Sequence, residues 1–227
     1  MVKYLDGNFG YGKSFHSFAS NMPEQELKER IRQEATALFL KYGVRSVSMD
    51  DISAQLGVSK KTLYQYYNDK NELIENVLEG IIGINECSCQ DCVVESENAV
   101  HEGVLSLRLL QDMFRTMNTS ILFDLKKYHP GAFQIFIRHK NDFLCNMVRK
   151  NLERGIREEV YRSDINIDIL TRFRVESLTL MFDVEVQESI SQPLLDIQRE
   201  VMIHFLHGLV NPKGYKLLTK YLKNLSQ

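Results

Sequence analysis

The chain has 227 residues, enough for a full hydrophobic core in one domain or in two closely joined domains. Its apolar content of 44% and charged content of 26% are typical of a soluble globular protein. A formal net charge of −2 argues against non-specific coating of nucleic acid, so any DNA contact must come from a local basic patch. Only four prolines and twelve glycines favour long helices over many tight turns.

The sequence also carries signals about location. No apolar run approaches the roughly 18 residues that a membrane-spanning helix needs, and the first residues lack the apolar segment of a secretory signal. The four cysteines do not have the spacing of a disulfide scaffold. We therefore expect a cytoplasmic protein.

Residues 1–22 are rich in glycine, serine and aromatic residues and have no helical period. We predict a disordered extension, or a non-native remnant if Met22 is the natural start. An arm that touches DNA through Lys3, Lys13 and His16 is the alternative.

The first helical pattern begins at Pro23, which suits the first turn of a helix, and acidic residues follow it. Apolar residues then recur every three or four positions and predict a helix that ends at Tyr42-Gly43. They are Leu27, Ile31, Ala35, Leu38 and Phe39.

Two short helices around a glycine are predicted next. Ser48 is an N-cap candidate followed by two aspartates in the first turn, and Gly57 can take the left-handed conformation that ends a helix. Ser59 then caps a second helix with a polar and basic outer face. This pattern indicates a helix-turn-helix, with an ordinary helical hairpin as the alternative.

Several motif segments surround this turn in a fixed order. They are Phe39, Tyr42-Gly43, Ser48-Met49-Asp50-Asp51-Ile52, Gly57-Val58-Ser59-Lys60-Lys61-Thr62-Leu63-Tyr64-Gln65-Tyr66-Tyr67 and Asn68-Asp69-Lys70-Asn71-Glu72-Leu73. With these segments, residues 27–78 resemble the N-terminal domain of the TetR family of transcriptional regulators.

The resemblance implies an all-α fold. Residues 23–70 would form a three-helix DNA-binding domain with a helix-turn-helix, and residues 71–227 a helical effector-binding and dimerisation domain. It further implies a homodimer that binds a double-stranded DNA operator and, as a repressor, is released by a small apolar ligand.

The resemblance also assigns site residues. It gives major-groove contacts to Lys60, Lys61, Thr62 and Gln65, and phosphate contacts to Ser48, Ser59, Tyr64, Tyr66 and Lys70. Lys61 stands where the family often has glycine, so the resemblance does not give the base preference of this chain.

Three cysteines follow a helix that is predicted from Lys70 to Ile82. The segment Cys87-Ser88-Cys89-Gln90-Asp91-Cys92 interrupts the helical pattern. Its thiols could hold a soft metal or sense redox state, or they could be incidental. A second cysteine pair is missing, so no metal ligand is assigned. A metal- or redox-responsive regulator that senses through Cys87, Cys89 and Cys92 is the alternative function.

The remaining sequence predicts long amphipathic helices over residues 104–124, 133–157, 168–189 and 194–209, and a shorter one over 215–225. His129-Pro130-Gly131 separates the first two. An apolar ligand cavity, or otherwise plain core, is predicted from methionine and phenylalanine side chains that face the helix beginning at Lys70. These are Met113, Phe114, Met117, Phe136, Phe143 and Phe173.

The two helices over 168–189 and 194–209 have apolar faces that are wider than one intramolecular contact needs, which predicts burial across a twofold axis. The sequence contains no phosphate-binding glycine loop, metalloprotease motif or nucleophile elbow, so we predict neither an enzyme nor a bound cofactor.

Overall fold

Helices form almost all of the regular structure of this chain. The computed structural model describes residues 24–118, 120–180 and 184–225. Within those ranges the all-α prediction is confirmed, and the only bridge between extended residues pairs Tyr161 with Val210. None of the helices in these ranges has both the length and the apolar character needed to cross a bilayer. The predictions for residues 1–22 and Pro23 lie outside the described residues.

Twelve α-helices occur in the described part of the chain, with a π-helical segment at Lys140–Leu144 between the seventh and the eighth. They are α1 Glu24–Tyr42, α2 Met49–Leu56, α3 Lys60–Tyr66, α4 Lys70–Glu95, α5 Ala99–Thr116, α6 Ile121–Tyr128, α7 Pro130–His139, α8 Cys145–Arg157, α9 Ile167–Leu180, α10 Val184–Ser189, α11 Leu194–Leu209 and α12 Pro212–Leu225.

The prediction that the cysteine segment interrupts a helix is wrong. Helix α4 continues through all three cysteines to Glu95, because no proline or further glycine follows Gly83 to stop it. It ends where the next helix begins, since the Asn98 side chain accepts a hydrogen bond from the His101 amide and caps α5. Gly80 and Gly83 therefore lie inside α4.

The single helix predicted over residues 104–124 is also wrong. Helix α5 ends at Thr116, and the Asn118 amide donates to the carbonyl of Leu40 in α1 at 2.8 Å. A tertiary hydrogen bond to the first helix thus replaces the next intrahelical one. Helix α6 begins after Ser120, whose amide bonds the Asn118 side chain at 2.9 Å.

The later helices mostly follow the predicted pattern. Helices α7 and α8 form one run, because the π-helical segment joins them, and Pro130 is the first residue of α7. The region predicted as one helix over 168–189 contains α9 and α10 on either side of the undescribed residues 181–183. Helix α12 begins at Pro212 because the Asn211 side chain accepts from two following amides.

Two hydrophobic cores organise the chain. The first joins α1, α2, α3 and the start of α4 to α6 and α7, through Leu125 and Ala132. The second packs α5, α8, α11 and α12 around Leu107, Leu152 and Leu206. The first core crosses the predicted domain boundary at residue 70, so the N-terminal helices share their interior with the body.

The packing of α12 against the loop that follows α8 gives a test of protein stability. A Cβ atom at Gly214 would lie 2.0 Å from the carbonyl oxygen of Val160, which is backbone and cannot swing away. We expect Gly214→Ala to lower the free energy of unfolding by about 1–3 kcal/mol, measured by urea denaturation. Gly83→Ala is the matched control, because Gly83 is helical with open space around it. Gly83→Ala should raise the free energy of unfolding by about 0.5–1 kcal/mol. Equal effects of the two substitutions would contradict this packing.

Candidate nucleic-acid interface and effector cleft

The turn between α2 and α3 is fixed by capping. Ser48 and Asp51 form a reciprocal capping box: the Asp51 amide donates to Ser48 Oγ at 3.2 Å, and the Ser48 amide donates to Asp51 Oδ2 at 2.8 Å. The Ser48 hydroxyl also donates to Asp51 Oδ2 at 2.7 Å, and this bond, followed by that from the Ser48 amide, lowers the pKa of Asp51. Gly57 has φ of 67° and ends α2 in the left-handed conformation. Ser59 Oγ then accepts from the Thr62 amide at 3.0 Å and starts α3.

These caps orient α3 so that one side is buried and the other exposed. Leu63 and Tyr67 point into the first core. The opposite side leaves Lys61 and Gln65 exposed. Lys60 is exposed as well, and its ammonium pairs with Asp50 Oδ1 at 2.7 Å across the turn.

The other predicted contact residues differ in their surroundings. The Thr62 hydroxyl lies 2.7 Å from the hydroxyl of Ser59, so it is part of the cap. Tyr64 is exposed, whereas Tyr66 is half-buried and packs against the first core. The structure therefore brings Ser59, Lys60, Lys61, Tyr64 and Gln65 onto one outward surface, which we call the α3 face.

Lys70 differs from its predicted role. Its ammonium donates to the carbonyl of Val44 at 2.7 Å and lies over the Phe39 ring. Burial lowers the pKa of Lys70, while the negative charges of Asp124 and Asp51 act in the opposite sense. The ammonium thus points inward and holds the loop between α1 and α2, which contradicts the predicted phosphate contact of this group. A contact from the backbone amides at the start of α4 stays a prediction.

Helix α6 is tied to the N-terminal helices at several points besides the Asn118–Leu40 hydrogen bond. The Arg45 guanidinium lies 5.3 Å from the centroid of the Tyr128 ring. At the end of α6, His129 Nδ1 lies 2.7 Å from Asn71 Oδ1 of α4. Burial lowers the pKa of His129, and the positive charge of Lys70 lowers it further. Polar contacts and the first core together hold α6 against α1 and α4.

The opposite side of α6 forms one wall of a cleft, which we call the α6–α9 cleft. It has a volume of about 830 Å³ and is bounded by α6, α7, α9 and α10, a size that suits a small organic ligand. Its lining is Leu122, Phe123, Lys126, Lys127, Phe133, Phe136, Ile137, Lys140, Phe173, Glu176, Ser177, Thr179 and Glu185. Apolar and polar residues occur in nearly equal number, but apolar atoms form most of the surface that faces the cleft.

A second cleft of about 520 Å³ lies between α4 and α8, and we call it the α4–α8 cleft. Of the predicted ligand-binding residues, Phe136 and Phe173 line the α6–α9 cleft, and Phe143 lines the α4–α8 cleft. The other three line neither cleft. Phe114 is buried, and Met113 receives a long hydrogen bond of 4.0 Å from Asn85 of α4. The six residues predicted to form one cavity are thus divided between two clefts and positions that line neither.

The three cysteines of α4 lie on different sides of the helix. Cys87 is exposed, whereas Cys89 and Cys92 are half-buried. Burial raises the pKa of Cys89 to about 12 and also raises the pKa of Cys92, so both thiols stay protonated at neutral pH. In the described part of the chain, no three metal-ligating side chains come together. Nothing in this geometry supports the metal or thiol alternative.

The sequence did not reveal two features of the α6–α9 cleft. The buried ammonium of Lys140, in the π-helical segment, pairs with Glu176 Oε2 of α9 at 2.8 Å. Arg174 of α9 is buried and bonds Ser177, which lines this cleft. A signal for Arg174 was present, because it lies four residues after Leu170 and four before Leu178, within the apolar stripe of α9.

The fold and the α3 face define an all-helical protein with an N-terminal helix-turn-helix DNA-binding domain. The family model of bacterial regulatory proteins of the tetR family matches residues 31–77. Residues 31–77 therefore form a DNA-binding domain of the TetR family, and the relatives of the chain are transcriptional regulators as well. The HTH-type transcriptional regulator YvaF of Bacillus subtilis is 28% identical over 163 residues, which are 70% of this chain and 83% of that protein.

Two further comparisons support the same fold. The HTH-type transcriptional repressor KstR2 of Mycobacterium tuberculosis is 23% identical over 154 residues, 61% of this chain and 71% of that protein. Its structure, that of a ketosteroid transcriptional regulator, has a TM-score of 0.54 at 18% identity and covers 82% of this chain and 95% of its own. A transcriptional regulator from Cytophaga hutchinsonii has a TM-score of 0.65 at 20% identity, covering 83% and 100%.

The inward position of Lys70 predicts a structural role for its ammonium. Lys70→Met leaves the buried Val44 carbonyl without its donor, so we expect the free energy of unfolding to fall by about 1–3 kcal/mol in chemical denaturation. Lys61→Met is the matched control, because Lys61 is exposed on α3, and it should change stability by less than about 0.5 kcal/mol. If Lys70→Met kept full stability but weakened DNA binding, the original phosphate assignment would be restored.

Proposed function

We propose that this protein is a homodimeric transcriptional repressor that binds an operator through the α3 face and is released by a small ligand in the α6–α9 cleft. The observation that carries the proposal is the capped α2–turn–α3 unit, which exposes Lys61 and Gln65 on one side while Leu63 is buried on the other. The names of YvaF as a regulator and KstR2 as a repressor support it. The proposal places the protein in the cytoplasm and includes no catalytic step.

DNA contact follows from the chemistry of the α3 face. Gln65 can donate to and accept from an adenine edge in the major groove, and Lys61 can donate to a guanine edge or a phosphate. Lys60 would exchange its pairing with Asp50 for a phosphate or base, which costs little because exposed ion pairs are weak. Ser48, Ser59, Tyr64 and Tyr66 are the candidates for phosphate contact, and Thr62 reaches DNA only if its bond to Ser59 opens.

The first test separates base reading from general attraction. An operator is recovered by selection from random duplex DNA, and binding is measured by fluorescence anisotropy over a range of salt. Gln65→Ala should relax the preference at one base pair per half-site, by about 1–3 kcal/mol. Lys61→Ala acts as the charge variant and should reduce the slope of log affinity against log salt by about 1 for each lost phosphate contact. Arg162→Ala, an exposed cation in the body, is the control; unchanged binding in both α3 variants would rule out the α3 face.

Dimerisation is supported by exposed apolar residues on α9. Ile169 is 64% exposed and Phe173 is 55% exposed, four residues apart on the same side of the helix. Two recognition helices must reach successive major grooves roughly 34 Å apart, which a twofold dimer provides. On α11, Phe205 is only 8% exposed and belongs to the second core. It is therefore not a candidate for the dimer interface. Met181, within the predicted helix over 168–189, lies outside the described residues.

The dimer is tested at Ile169. Ile169→Asp places a charge on the exposed apolar side of α9 and should yield a monomer at micromolar concentration in sedimentation velocity, with circular dichroism unchanged. Ile84→Asp is the control, because Ile84 is similarly exposed at 65% but lies on α4. Phe205→Asp should unfold the protein instead of only separating the subunits. A dimer that persists in Ile169→Asp would exclude this side of α9 as the interface.

Helix α6 is the element through which a ligand could act on the α3 face. Leu125 and Asp124 are buried toward the N-terminal helices, whereas Phe123 and Lys126 line the α6–α9 cleft. A ligand that moves α6 would disturb the first core and the Arg45–Tyr128 contact together. Helix α4 remains a second lever, because the Arg32 guanidinium of α1 packs against its backbone at Gly80. The ligand can act only if it has different affinities for two arrangements of the DNA-binding domains.

A further inference from the structure

Among the described residues of α9 and α11, a buried polar cluster contains a cation with no anionic partner. Arg174 is 4% exposed. In the part of the chain that the structure describes, its guanidinium makes one hydrogen bond, to Ser177 Oγ at 3.2 Å, and lies over the Phe205 ring at 5.8 Å. Burial lowers the pKa of Arg174 to about 10. A guanidinium has five N–H donors, so most of its hydrogen-bonding capacity is unused.

Two further buried polar atoms, one on α9 and one on α11, have no hydrogen-bond partner among the described residues. Thr171 lies one turn before Arg174 on α9, and its buried hydroxyl has no hydrogen-bond partner among the described residues. Gln198 of α11 is 1% exposed; its amide nitrogen reaches the Leu178 carbonyl at 3.5 Å, whereas its carbonyl oxygen has no partner in the same described set. Buried polar groups normally find partners, so these atoms and the Arg174 guanidinium keep hydrogen-bonding capacity that a ligand could satisfy.

Ser177 connects this cluster to the α6–α9 cleft, because it bonds Arg174 and also lines the cleft. Lysines outnumber glutamates in the lining, three to two. Glu176 is neutralised by Lys140 at 2.8 Å and by Arg172 at 3.4 Å. The lining therefore combines phenylalanine rings at Phe123, Phe133 and Phe136 with two lysines of α6, Lys126 and Lys127.

We propose that the α6–α9 cleft binds an amphipathic anion, with its apolar part against the phenylalanine rings and its carboxylate on Arg174 beside Ser177. A carboxylate matches the planar fork of a guanidinium and can accept two parallel hydrogen bonds from it. This inference rests on the proposed function, since it names the chemical class of the effector.

The test compares an anion with its neutral analogue on the full chain. Decanoate and decanol are titrated by isothermal calorimetry without DNA. Decanoate should bind about 10- to 100-fold more tightly than decanol, because charge-assisted hydrogen bonds to a buried cation are strong. Arg174→Met should abolish this preference and leave decanol binding unchanged. The variant should fold, because replacing an unpaired buried charge by an apolar side chain is neutral or stabilising.

The control is Lys126→Met, which removes an exposed cation from the same cleft and should weaken decanoate by about threefold or less. If Arg174→Met does not fold, Arg174→Lys is used, and it should lower the decanoate preference by about tenfold because an ammonium lacks the fork. Equal binding of decanoate and decanol, an unchanged preference in the folded Arg174 variant, or an equal loss in Lys126→Met overturns the inference. The inference is also overturned if the Arg174 variant changes its sedimentation but not its preference for decanoate, because Arg174 would then belong to the dimer interface.

Operator binding is measured separately with the same probes. If decanoate binds through Arg174 but does not lower operator affinity, the anion site stands and release by a ligand in this cleft is contradicted. If decanol and decanoate bind equally and both release the operator, the anion site is overturned while the proposed function stands.

Discussion

The shared interior of the N-terminal helices and α6–α7 is the constraint on which the rest of the structure depends. Leu63 and Ile52 position α3, and the same core continues without a gap to Leu125 and Ala132 in the body. Interiors are packed densely and resist gradual deformation, so a shift of α6 cannot be absorbed locally. The orientation of the α3 face is therefore coupled to the element that forms one wall of the α6–α9 cleft.

Only a modest difference in free energy is needed for this coupling to control DNA binding. To reduce operator affinity about a hundredfold, a ligand must favour the non-binding arrangement by about 2.7 kcal/mol, within the usual range for allosteric proteins. The polar contacts that tie α6 to the N-terminal helices, in addition to the first core, are of that order. They include one backbone hydrogen bond at Asn118, a cation–π contact at Tyr128 and a polar contact at His129. Each is worth about 1 kcal/mol, so together they can transmit such an effect, but none dominates it.

The sequence predicts those parts of the structure that depend on local chemistry. Capping at Ser48 and Ser59 and the left-handed Gly57 are encoded by short-range hydrogen bonds, so the α2–turn–α3 unit could be identified from residue types alone. The end of α5 depends on a hydrogen bond to Leu40, about 80 positions away in sequence. The spacing of apolar residues along the helix cannot predict such a contact. The inward turn of the Lys70 ammonium has the same cause, since its acceptor belongs to a loop packed against α4. The cleft could be predicted only in part for the same reason: Phe136 and Phe173 line it, while Phe114 packs elsewhere.

Helix α9 borders both the α6–α9 cleft and the proposed dimer surface, which explains its mixture of apolar and polar residues. Phe173 lines the α6–α9 cleft and is also largely exposed next to the proposed dimer surface, with its ring 6.4 Å from that of Phe205. One turn of helix therefore borders the cleft, the second core and the outer surface. A ligand that displaces Phe173 would change both the wall of the cleft and the surface on which the subunits meet, and the distance between two α3 faces depends on that surface. A buried guanidinium at Arg174, one residue further, would then be neutralised in the liganded arrangement and left unpaired in the other, and this difference in free energy is what a ligand-driven switch needs.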